Sequence, residues 1–104
     1  MRAWIFTTRG SPASILHLNS DLPTPSAQSI GSHEVLVKVS HVGLNVGLLL
    51  MLRLMPHVTS TPWIPELEFS GTVLSIGSEV SELKPGDEVL ARRTFPLTSS
   101  TAGL

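Results

Sequence analysis

A chain of 104 residues with a net charge of −1 has room for one domain and one modest core. Its scattered charges exclude a nucleic-acid surface or a charged interaction tail, and the lack of cysteine excludes a disulfide framework and a thiolate metal site. The longest apolar run, Val46 to Leu52, falls short of the ~18 residues that cross a membrane. The opening Met1 to Thr8 has too short an apolar run for a secretory signal, so the expected compartment is the cytoplasm.

Taken in chain order, Ala3 to Thr8 is rich in aromatic and β-branched residues and predicts a short strand. Arg9-Gly-Ser-Pro12 is a turn by composition. Ser14 to Asn19 predicts a second strand, and the two make an antiparallel hairpin. Leu22 to Ser32 carries Pro23, Pro25 and Gly31 among serines, which bars regular structure. Glu34 to Leu44 reads as a strand, with Val35, Val37 and Val39 on one face and Leu36, Lys38 and Ser40 on the other. At His41 the alternation slips, because Val42 and Leu44 carry the apolar side on even positions. One extra residue, a β-bulge, produces such a slip, and Gly43 tolerates the bend.

Asn45 is a good N-cap residue, and the leucines and methionines up to Met55 are strong helix formers. Only Arg53 is charged in that helix, which is apolar nearly all round and must be covered on several sides. Pro56 to Pro65 is a loop with three prolines. Leu67 to Gly77 is a strand that holds two poor strand formers, Glu68 and Gly71. Ser78 to Gly86 is a turn region, Asp87 to Arg93 a final strand, and residues 94–104 have no strand or helix period. The expected fold is mainly β, a partial barrel with one apolar helix.

On the residues alone, Asn45 is either a helix cap or a chemical group. Glu68 reads as a solvated residue on an edge strand. Gly71 serves close backbone packing, and Asp87 is a turn residue after Pro85-Gly86. His17, His33, His41 and His57 lie far apart, with no ligand pair at helical or hairpin spacing. Ser70 lacks the preceding glycine of a nucleophile elbow. No glycine-rich dinucleotide fingerprint follows a strand anywhere in the chain.

Three features in order carry a family resemblance: Val39-Ser-His-Val-Gly-Leu-Asn45, Ile64-Pro-Glu-Leu-Glu-Phe-Ser-Gly71 and Pro85-Gly-Asp-Glu-Val89. Together they resemble the N-terminal GroES-like segment of the medium-chain dehydrogenases/reductases, with Pro65, Glu68, Gly71, Gly86 and Asp87 as signature positions, and the resemblance implies that Glu68 is a buried structural carboxylate with a basic partner. The resemblance spans residues 1–93, read as an incomplete GroES-like domain, with 94–104 as an irregular tail. It implies a partial GroES-like β-barrel in a chain that stops before the Rossmann domain of the family. Zinc-dependent members hold a cysteine where Asn45 stands and a histidine where Leu67 stands, so the resemblance points to the zinc-independent quinone oxidoreductase and enoyl reductase branch. There the asparagine lies near the nicotinamide and the substrate carbonyl, and the cofactor is NADPH, bound by the domain lacking here. Glu66 stands at a signature glycine position. Leu48 and Leu50 fall where that branch often carries an acidic residue and a tyrosine.

Two functions follow. In the first the chain is the substrate-side domain of a zinc-independent oxidoreductase, inactive when isolated. In the second it is a truncated, non-catalytic product that at most binds a partner. The expected partner is the missing Rossmann domain or a homologous chain, with self-association through the Val46–Met55 helix.

Overall fold

The structure, a computed structural model, describes residues 1–47, 50, 53, 64 and 68–92. These form two antiparallel sheets. Strand β1 (Ala3–Ile5) pairs with β2 (His17–Asn19), and β4 (Glu68–Ile76) lies between β3 (Val35–Gly43) and β5 (Glu88–Arg92). The mainly β, partial GroES-like architecture stands. Among the described residues no helix is long and apolar enough to cross a membrane.

The first pairing differs from the expected hairpin in its bounds. Residues Pro12–Ile15 form a single helical turn, α1, where a turn and the start of a strand were expected. Pro12 occupies the first helical position, where its fixed φ is already helical and its missing N–H costs nothing. The Ser11 carbonyl accepts from the Ser14 and Ile15 amides, which closes the turn and delays β2 to His17. The first strand likewise ends at Ile5, well before Thr8. The connector also carries more order than its prolines suggest. Ser26 and Ser29 cap a 3₁₀ turn over Ala27–Ser29 reciprocally. The Met1 ammonium donates to the Leu22 carbonyl and, at 3.1 Å, to Thr24 Oγ1, which fastens the connector beside β1.

The β3–β4 ladder contains two register shifts. One falls between Val39 and His41, at the predicted slip, and leaves Ser40 as the extra residue on β3. The other falls between Leu36 and Val37 and leaves Leu74 as the extra residue on β4. The extra residues lie on opposite strands, so the second shift undoes the first. The Val35–Ile76 and Gly43–Glu68 ends therefore share one alignment, and the middle of the ladder is offset.

The chain enters β5 through a turn over Lys84-Pro-Gly-Asp87. The Asp87 amide donates to the Lys84 carbonyl, and Gly86 takes φ +94, as a type II turn with proline at its second position requires. Gly86 N–H then donates to the Val73 carbonyl, and Val73 N–H donates to the Asp87 carbonyl, both at 2.9 Å. Two residues of the turn thus oppose one residue of β4, a glycine-led bulge that fixes where the β4–β5 ladder begins. The core is small. Ile5, Leu36 and Val73 are buried, Val73 to 1% exposure, while Trp4 and its cross-strand partner Leu18 are half exposed.

Candidate functional site

One end of the three-stranded sheet gathers the signature groups. The last rung pairs Gly43 of β3 with Glu68 of β4, and Glu68 in turn with Arg92 of β5. Two residues past Gly43, the half-buried Asn45 precedes Val46, the first residue in helical conformation, and so occupies the N-cap position. Gly47, Leu50 and Arg53 are helical as well; the remaining residues of the expected Asn45–Met55 helix lie outside the described set.

Glu68 resolves differently from either expectation. Its strand is central, not an edge, yet its side chain is exposed. Exposure at a strand end keeps the carboxylate in water, so no buried partner is needed to hold its charge. The side chain lies across Gly43: a Cβ built there would stand 3.4 Å from Glu68 Cβ and 3.5 Å from its Oε2. Gly43 thus leaves the strand end open to the carboxylate, with Arg92 on the neighbouring strand as its register partner. Arg92 was not singled out by the sequence, because its place opposite Glu68 depends on the bulge at Gly86–Asp87, which sets the register.

Gly71 sits midway along β4, between Val39 and Val89. A Cβ there would overlap the Lys38 carbonyl oxygen and stand 2.8 Å from Val37 Cγ1, so β3 approaches too closely for any side chain. Gly86 and Asp87 lie at the start of β5, beside Val73 of β4, about 16 Å from the Glu68 rung at the rise of an extended strand. Asp87 Oδ1 accepts from Lys84 Nζ at 2.7 Å, and its Oδ2 accepts from the Lys84 amide at 3.0 Å. The side-chain hydrogen bond from Lys84, then the backbone one, hold the Asp87 carboxyl below its ordinary value. Asn45 thus follows the strand end where Glu68 stands, and Gly86 and Asp87 are turn residues at the start of β5. Pro65 and Leu67 lie outside the described residues.

The two positions where the resemblance sets zinc ligands carry no thiolate or imidazole in this sequence. Asn45 offers a neutral amide where the resemblance would need a thiolate, and Leu67 offers no donor. Among the described residues no three histidine, aspartate or glutamate side chains gather as a ligand set.

The model of the alcohol dehydrogenase GroES-like domain matches residues 31–102, and the chain belongs to that family. It is similar to the trans-enoyl reductase poxH of Penicillium oxalicum, 36% identical over 95 residues, covering 82% of this chain and 25% of that protein. It is 32% identical over 93 residues to the chloroplastic NADPH-dependent alkenal/one oxidoreductase of Arabidopsis thaliana, covering 88% of this chain and 23% of the relative. The quinone oxidoreductase of Coxiella burnetii superposes with a TM-score of 0.76 at 30% identity, over 92% of this chain and 30% of the other. The chain thus spans between 23% and 30% of the length of these proteins.

Proposed function

We propose that the chain is the substrate-side domain of a zinc-independent, NADPH-dependent oxidoreductase that reduces a quinone or a conjugated carbonyl. The nicotinamide, bound by a nucleotide-binding domain, supplies the hydride. The observation that carries the reading is Asn45, held at the N-cap beside the Gly43–Glu68–Arg92 rung in a chain of this family. When hydride reaches the conjugated carbon, the electron pair moves to the carbonyl oxygen. The Asn45 amide is an uncharged donor, able to hydrogen-bond that oxygen as charge gathers there without itself losing a proton. NADPH and the enone substrate class are supported by what relatives are named for. A cytoplasmic location belongs to the same reading.

Titration of the isolated chain with NADPH, followed by cofactor fluorescence, is expected to show no saturable binding. A fusion to the nucleotide-binding domain of a relative is expected to oxidise NADPH when an enone or quinone is added. In that fusion Asn45→Ala should lower kcat about a hundredfold. Asn45→Ser keeps a capping hydroxyl but shortens the donor, so it should keep the melting temperature and still lose kcat. A fusion that binds NADPH and reduces neither substrate class would overturn the proposal.

Exposed apolar residues favour a second, partner-binding reading. Leu44 is 87% exposed, with Val46 and Leu50 exposed beside it at the start of the helix. This surface would seat the nucleotide-binding domain, a homologous chain, or a second copy through the Val46–Met55 helix.

A further inference from the structure

We draw no further inference here: the strongest candidate, the exposed apolar patch of Leu44, Val46 and Leu50 where β3 runs into the helix, carries nothing, because nothing in the structure shows what covers it.

Discussion

Asp87 shows how much a single side chain does in this chain. Its carboxylate receives the Lys84 ammonium and the Lys84 amide, which favours the charged form in the folded state. A carboxyl held below its ordinary value of 3.8 adds stability above that value and loses it as pH falls through the lowered one. Asp87→Asn should therefore lower the melting temperature near neutral pH, with the gap to the parent chain closing as both are acidified below 3.8 and through the lowered value. Melting curves across a pH series give the comparison, and an unchanging gap would count against the Lys84 contact. The turn role of Asp87 was legible because Pro85-Gly86 precede it. The need for glycine at position 71 was also legible, but its cause, the Lys38 carbonyl pressed against it, was not, since only the register brings the two together. Glu68 was read from its motif, and the motif says nothing about exposure.

At the scale of elements, the turn over Lys84–Asp87 couples sequence to register most directly. Gly86 takes a φ that side-chained residues avoid, and its amide is tied to Val73. Gly86→Ala should cost about 1–2 kcal/mol in denaturant unfolding through left-handed backbone strain, because nothing stands within 4 Å of where its Cβ would sit. A loss much smaller than this would mean that the turn can relax to another type. The bulge at Ser40 was visible as a slip in the apolar alternation. The one at Leu74 was not, because Val73 and Leu74 are both apolar and no slip shows. The helical turn at Pro12–Ile15 was hidden for a similar reason. Its Ile15-Leu16 pair suits a strand, and the deciding feature was the position of Pro12.

Across the described residues of the molecule, few side chains are shielded, and much apolar surface faces outward at Trp4, Leu44, Val46, Leu74 and Leu90. The fold therefore relies on strand pairing to hold its two ends in step, from the Gly31–Glu34 turn beside Ile76 to the Asn45 end. That has a consequence for how the chain tolerates lost residues. Ser40 and Leu74 are slack in the ladder: the pairs on either side of Ser40, Val39–Gly71 and His41–Ser70, become consecutive when it is removed, and so do Leu36–Ser75 and Val37–Val73 when Leu74 is removed. Deleting Ser40 should therefore leave the Gly43–Glu68 rung paired and shift the melting temperature little. Deleting Leu74 should be tolerated in the same way, since it lies outside the Glu68–Thr72 segment that pairs with β5. A sharp fall in the melting temperature of either deletion would mean that its bulge has a purpose of its own, bending the strand where a straight ladder does not serve.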